Sequence, residues 1–161
     1  MSDRIAVMSD GVIQQIADGK TIYDEPATPF VASFVGENNA FAGTVVQAVG
    51  SSALIETKLG RLRGRNPHGL TQGVKAILFV RPESARLASG AADTTFASTV
   101  KSVAFEGNMT HVFLEGPGKK DITITVGRSS GMSIPEQGSA AAVSYDAALG
   151  LVLPDGKMAR E

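Results

Sequence analysis

The stretch Gly73-Val74-Lys75-Ala76-Ile77-Leu78-Phe79-Val80-Arg81-Pro82-Glu83 decides the fold. In an extended chain Val74, Ala76, Leu78 and Val80 fall on one face, and Lys75, Ile77, Phe79 and Arg81 on the other. Strong β-formers dominate from Ile77 to Val80, and a run of this length reads as a central strand. Pro82 stops it, because proline has no N–H to give to a sheet. Short strand-like runs separated by glycines precede it, and similar runs follow. The strand therefore reads as the hinge between two halves of a small β-domain.

Working outward, Ala42–Val49, Ala53–Lys58 and Gly60–Gly64 are predicted strands before it. Thr99–Phe105, Met109–Glu115, Asp121–Val126, Ala140–Tyr145 and Leu149–Leu153 are predicted strands after it, with residues 84–95 as a connecting loop. Gly116-Pro117-Gly118-Lys119-Lys120 is a hairpin loop. This many short strands with turns between them argue a barrel or sandwich. The halves echo each other weakly. Gly43-Thr44-Val45-Val46 resembles Ser98-Thr99-Val100-Lys101, and Gly73–Leu78 resembles Gly138–Val143, a match too thin to claim a repeat from sequence.

The first 36 residues read differently. Residues 3–8 and Val12–Ala17 form a hairpin around Ser9-Asp10-Gly11. Thr21–Asp24 is a helical turn capped by Thr21 or Asp18. Thr28 caps a second helix with Pro29 in its first position, Phe30 and Phe34 share a face, and Gly36 ends it. Glu37-Asn38-Asn39 is linker-like, so a boundary is expected there, with domains over 1–36 and 37–161.

The totals exclude several function classes. The 161 residues suffice for one domain with a core, or a small domain with an appendage. Net charge is −1, which offers no global basic field to nucleic acid or membrane. Aromatics are 6% with no tryptophan, poor material for stacking bases over a groove, so no nucleic-acid partner is expected. Cysteine is absent and there are only two histidines, which removes disulfides, thiolate metal sites and most histidine cages. No apolar run has the length of a membrane span and no signal peptide opens the chain, so the expected location is cytoplasmic.

No string of residues carries catalysis. Gly150 to Gly156-Lys157-Met158 is one residue too long for a phosphate-binding loop and lacks the hydroxyl after the lysine. Gly127-Arg128-Ser129-Ser130-Gly131 has the letters of a nucleophile elbow, but no helix signal and no later histidine follow. His68 sits in a turn and His111 in a strand, with nothing to pair them as metal ligands. No catalytic, cofactor-binding or metal-ligating residue is assigned. The candidate contacts for a partner or ligand are Arg61, Arg63 and Arg65, which alternate and so share a strand face, and Arg81 and Glu83, which bracket Pro82. Each of these charges also reads simply as a solvated surface position.

Several blocks resemble a known family. Ser2–Met8, Gly11–Gln15, Ile22–Pro26 and Phe30–Gly36, in that order, look like the end of the ATPase domain of ABC importers of the spermidine/putrescine, sugar and iron group. Phe41–Val45, Val80-Arg81-Pro82-Glu83 and Phe105–Thr110 resemble the transport-associated OB (TOBE) domain that follows in the same subunits. Glu106-Gly107 before Thr110, with the Val152-Leu153 ending, looks most like the polyamine branch. The resemblance implies a mainly β fold, an OB-like barrel with a short N-terminal α/β remnant of the ATPase domain. It implies the C-terminal regulatory and assembly region of a subunit that binds ATP and Mg and drives a membrane permease at the inner face of the membrane. The phosphate loop, signature motif, catalytic carboxylate and switch histidine of the family would all precede Ser2, so no cofactor and no ATPase activity are expected of this chain by itself. A homodimer is expected, because the hairpin's open edges and Phe30 and Phe34 are apolar. The alternative is a stand-alone β-domain binding an oxyanion or sugar.

Overall fold

In a computed structural model the described residues are 4–118, 120–127 and 133–159. Residues 128–131 of the elbow-like string and Lys119 of the Gly116–Lys120 loop lie outside them. The N-terminal segment forms a hairpin, β1 (Ile5–Ser9) and β2 (Val12–Ala17), then α1 (Gly19–Asp24) and α2 (Pro29–Phe34). The first half of the β-region is β3 (Asn39–Val49), β4 (Ser52–Thr57), β5 (Gly60–Arg65), β6 (Lys75–Val80) and the short β7 (Ala85–Arg86). The second is β8 (Thr95–Glu106), β9 (Met109–Leu114), β10 (Ile122–Gly127), β11 (Ala140–Tyr145) and β12 (Leu151–Pro154). The fold is mainly β, as the sequence predicts.

Each half has the same plan, and each gives its last strand to the other. β3, β4 and β5 form a meander with β6 on the far side of β3; β8, β9 and β10 form a meander with β11 on the far side of β8. β12 crosses back to pair with β6 and β5, closing a barrel in the order β12-β5-β4-β3-β6. β7 crosses forward to pair with β11, giving a five-stranded sheet in the order β10-β9-β8-β11-β7. The sequence reading had residues 84–95 as loop. The structure corrects this with β7, a strand of two residues, too short to show any periodicity.

The weak sequence echo is a structural repeat. β3 and β8 each carry a bulge, between Val45 and Gln47 and between Val100 and Ser102. At the first bulge Val45 N–H donates to the Val74 carbonyl and Gly73 N–H to the Val45 carbonyl. At the second, Val100 N–H donates to Ser139 and Gly138 N–H to Val100. Gly73 and Gly138 have φ of 93° and 87°, a region that penalises any Cβ, which explains a glycine at this point of both halves. The exchanged strands are in equivalent register, Phe79 opposite Leu151 and Ser144 opposite Arg86.

β6 has the two faces read from sequence, and both are buried. Ala76, Leu78 and Val80 belong to a core shared by the two halves, with Phe41 set edge-on to Phe96 at 5.4 Å. Val100, Val112, Leu114, Ile124 and Val143 belong to the same core. Ile77 and Phe79 form a second cluster with Leu151, Leu153 and Ala32 of α2. A strand apolar on both faces needs cover on both, and the N-terminal segment supplies the outer cover.

α2 starts as predicted, with Thr28 Oγ1 accepting from Val31 N–H and Pro29 in the first turn. Asp18 caps α1 by accepting from Thr21 N–H. Phe30 and Phe34 stack at 5.8 Å. The C-terminal tail fastens the arrangement: Ala159 N–H donates to Ser33 Oγ and Lys157 pairs with Asp10 at 3.0 Å. The helices thus pack back on the barrel. The outward face of the hairpin, with Met8, Ile13 and Ile16, stays exposed.

Candidate functional site

Where the N-terminal segment meets the barrel, the end of β6 and the end of α1 leave a cleft of about 340 Å³. Arg81 holds its inner wall. The strand's outward alternation, the same that buries Ile77 and Phe79, aims this side chain under α1. Its guanidinium lies 4.1 Å from the centre of the Tyr23 ring and donates to the Tyr23 carbonyl at 3.1 Å and the Glu37 carbonyl at 2.9 Å. It forms no ion pair among the described residues. Burial lowers its proton affinity, opposed by Tyr23, Glu83 and Asp24, yet arginine remains charged in proteins.

Glu83 sits beyond Pro82 in a single 3₁₀ turn, Pro82–Ser84. Its carboxylate accepts from the Tyr23 hydroxyl. Partial burial, followed by that hydrogen bond, raises the Tyr23 pKa above its ordinary value. Arg81 and Glu83 therefore grip one aromatic residue from two sides, ring face and hydroxyl. Both residues named from sequence are brought together, on the chain's own N-terminal segment.

The three β5 arginines share a face, because Leu62 and Gly64 between them point inward. They do not converge. Arg61 pairs with Glu56 at 2.9 Å in solvent, Arg63 with Asp93 at 2.7 Å, and Arg65 with Glu25. Each charge is already met by a separate carboxylate, so the row offers no open anion cradle. Arg65 alone reaches the cleft.

His68 Nε2 lies 3.0 Å from the Ala27 carbonyl, a further tie to the N-terminal segment. His111 sits between Thr125 and Glu106, on the second sheet. Among the described residues no group of acidic, histidine or cysteine side chains is placed to hold a metal.

Sequence reasoning missed three residues. Tyr23 was read only as part of a helical turn. Asn38 and Asn39 were read as linker, yet both are buried. Asn39 uses its side chain as a strand would use its backbone, accepting from Thr123 N–H at 2.8 Å and donating to the Thr123 carbonyl at 2.9 Å, which covers the free edge of β10. Asn38 donates to the Ala32 carbonyl, while its Oδ1 is buried without a partner. Two adjacent asparagines beside apolar runs carried the only hint, since a buried amide fixes a chain that a linker would leave free.

Residues 78–153 match the TOBE domain family. Over 156 residues the chain is 36% identical to the spermidine/putrescine import ATP-binding protein PotA of Rubrobacter xylanophilus, covering 95% of this chain and 41% of that protein. It is 32% identical over 161 residues to the PotA of Thermobifida fusca, covering 96% of this chain and again 41% of the relative. The chain thus spans under half the length of these curated relatives. Among solved structures, the cytoplasmic molybdate-binding protein ModG with molybdate bound superposes with a TM-score of 0.59 at 20% identity, covering 72% of this chain and 96% of that one. That likeness speaks to the fold, an OB-type β architecture. No helix among the described residues is long and apolar enough to cross a membrane. The chain carries a TOBE domain, within a stretch that resembles from end to end the C-terminal part of the ATP-binding subunits of spermidine/putrescine importers.

Proposed function

We propose that this chain is the regulatory and assembly region of the ATP-binding subunit of an ABC importer, in polyamine uptake. The observation that carries the reading is the continuous match across both the N-terminal segment and the β-region to PotA proteins, at 95% coverage of this chain. A stand-alone TOBE domain has no use for the hairpin and two helices. Here they are packed on the barrel through Ala32, Tyr23 and Glu25. The chain by itself neither binds nor hydrolyses ATP, since phosphoryl transfer needs phosphate-positioning motifs that the sequence lacks. It acts at the inner face of the membrane through an ATPase domain that contacts the permease.

The test is a chimera. The Rubrobacter PotA, with its own matching region replaced by this chain, is reconstituted with its permease in vesicles. Putrescine-dependent ATP hydrolysis at a level near that of the parent is expected, against loss of coupling when the region is deleted. A chimera that hydrolyses ATP but responds to putrescine no better than the deletion sinks the reading. The alternative, oxyanion binding as in the molybdate-binding ModG, is disfavoured because Arg61, Arg63 and Arg65 each have a carboxylate partner.

Self-association belongs to the same proposal. The exposed Met8, Val12, Ile13 and Ile16 sit on a two-stranded hairpin with unpaired edges, a surface that a second copy covers. Sedimentation should give a dimer for the full chain and a monomer for the chain starting at Glu37. Equal behaviour of the two removes the hairpin as the dimer element.

A further inference from the structure

The N-terminal segment is built as a body with its own small core. Val7 of β1, Ile22 of α1 and Val31 of α2 form that core, with Ala17, Phe30 and Val35 packed around it. Gln15 binds the hairpin to the helices, its Nε2 donating to the Glu25 carbonyl and its Oε1 accepting from Ala27 N–H. The core is separate from both clusters of the barrel. The seam between the two bodies is largely polar. Arg65, His68, Arg81 and Glu83 reach from the barrel to Tyr23, Glu25 and Ala27, while α2 adds Ala32 to the outer cluster of β6 and β12. A polar seam between two separately cored bodies permits one to move against the other.

The two ends of this seam are held differently. At one end the buried Arg81 donates to the Tyr23 and Glu37 carbonyls, which lie before and after α2 in the chain. Gly36 packs there so closely that a Cβ would stand 3.4 Å from Arg81 Nη1 and from Tyr23 Cε2. That end is a pivot. At the other end the segment after β12 crosses the N-terminal body. Asp155 N–H donates to the Lys75 carbonyl at 3.1 Å, Lys157 meets Asp10 of the hairpin turn at 3.0 Å, and Ala159 N–H donates to Ser33 Oγ at 2.8 Å. Met158 packs against the cluster of Ala32 and Ile77. Both charges of the Lys157–Asp10 pair are exposed, and such a pair contributes little and is screened by salt. Beside it the hairpin, the start of α2 and the crossing segment leave an open cleft of about 410 Å³. The hairpin therefore has room to move once the pair parts.

We infer that Asp155–Ala159 is a strap that opens and closes, and that the N-terminal body swings about the Arg81 junction when it opens. Closed, the strap holds α2 and the hairpin turn on the barrel; open, it leaves the body tethered at Arg81 alone. The strap is measured on this chain by itself and stands or falls separately from the importer reading. Only its consequence rests on that reading: the strap would set how tightly the barrel follows the ATP-binding region that precedes it.

Distances between spin labels test the strap on the full chain. The sequence has no cysteine, so labels go only where cysteines are placed. One pair is Met8→Cys on the exposed face of the hairpin with Lys58→Cys on the barrel; the control pair is Lys58→Cys with Gln72→Cys, both on the barrel. Labelled chain is diluted into excess unlabelled chain, so that distances between copies do not contribute. Lys157→Glu sets like charges face to face at the strap, and Ala159→Pro removes the N–H that Ser33 accepts from. Together they should raise the ratio of open to closed Met8–Lys58 distances about tenfold or more, with the control pair unchanged. Raising salt to about 1 M should shift the unaltered chain in the same direction by a smaller factor. If the Ala159→Pro chain fails to fold, Lys157→Glu and the salt series decide. A Met8–Lys58 distribution that is the same in every folded variant and at every salt concentration overturns the inference. So does an equal broadening of both pairs, which would mean that the whole fold loosens and nothing swings.

Discussion

The two halves of the β-region share topology, bulges and register, yet one closes into a barrel and the other stays an open sheet. The difference lies in the strand each receives. β12, donated to the first half, is Leu-Val-Leu-Pro, with Leu151, Val152 and Leu153 buried, and it reaches both β6 and β5. β7, donated to the second half, is Ala-Arg and pairs with β11 alone. The outer faces differ in step. β6 presents Ile77 and Phe79, which demand the helical cover of α2; β11 presents Ala142 and Ser144, and the turn around Gly90 lies against Ser144. A Cβ on Gly90 would lie 3.2 Å from Ser144 Cβ, so that small face is matched by a close-lying backbone. Closure and the docking of extra structure are thus written in a few side chains laid over a common plan.

The comparison breaks most visibly at Phe79. It is 2% exposed and joins β6, β12 and α2 in one cluster. Phe79→Ala should cost about 3–5 kcal/mol in denaturant unfolding, from lost transfer and the cavity left behind. A loss below about 1 kcal/mol would show that the outer cluster does not hold the N-terminal segment.

Arg81 comes next. Arg81→Met keeps much of the apolar stem but strands the carbonyls of Tyr23 and Glu37 and releases the Tyr23 ring. The expected cost is about 1–3 kcal/mol. Amide exchange should quicken in residues 19–37 and remain slow in β8–β11. Uniform loss of protection in both regions would mean that Arg81 supports the whole core and not a junction.

How much of this was legible in the sequence follows from range. β6 was readable because its alternation, its β-formers and Pro82 are local, and α2 because Thr28-Pro29 is a local start signal. The repeat left only a faint trace, since the geometry it preserves rests on Gly73, Gly138 and two bulges and not on side-chain identity. The exchange of β7 and β12 was not readable at all. It depends on pairings between strands far apart in sequence, and β7 is too short to carry a pattern. At the candidate site the charges Arg65, Arg81 and Glu83 were visible, but their partners were not. Tyr23, Asn38 and Glu25 enter only because the N-terminal segment folds back, a decision taken by the outer face of β6.

A smaller effect sharpens the seam between the halves. Tyr145, 1% exposed, ends β11 and donates its hydroxyl to the Arg63 carbonyl of β5 at 2.7 Å. Tyr145→Phe should cost about 1 kcal/mol near neutrality. Burial, followed by the nearby Asp93, pushes the Tyr145 hydroxyl well above its ordinary value. The folded state therefore holds this proton more tightly than the unfolded one. Its contribution is present in full below about pH 10 and is lost as pH rises beyond that. Tyr23 shifts in the same direction, so Tyr145→Phe should remove part of the alkaline loss of stability and leave the rest. An alkaline slope identical in the variant would mean that the Tyr145 hydroxyl does not titrate differently on folding.

The smallest effect is expected at Ser144, which occupies in β11 the register position that Phe79 holds in β6. Its side chain is fully buried and its Oγ has no partner. Removing a buried hydroxyl that makes no hydrogen bond takes away a desolvation cost and no interaction. The Cβ that the Gly90 turn packs against is kept in alanine. Ser144→Ala should therefore be neutral or stabilising, within about 0.5 kcal/mol, by denaturant unfolding. The same register position thus spans the whole range of expected effects, because one outer face holds a second structural layer and the other holds only a turn. A loss above about 1 kcal/mol for Ser144→Ala would show that the hydroxyl has a partner in solution, and that the outer face of the second half is a polar site and not a passive cover.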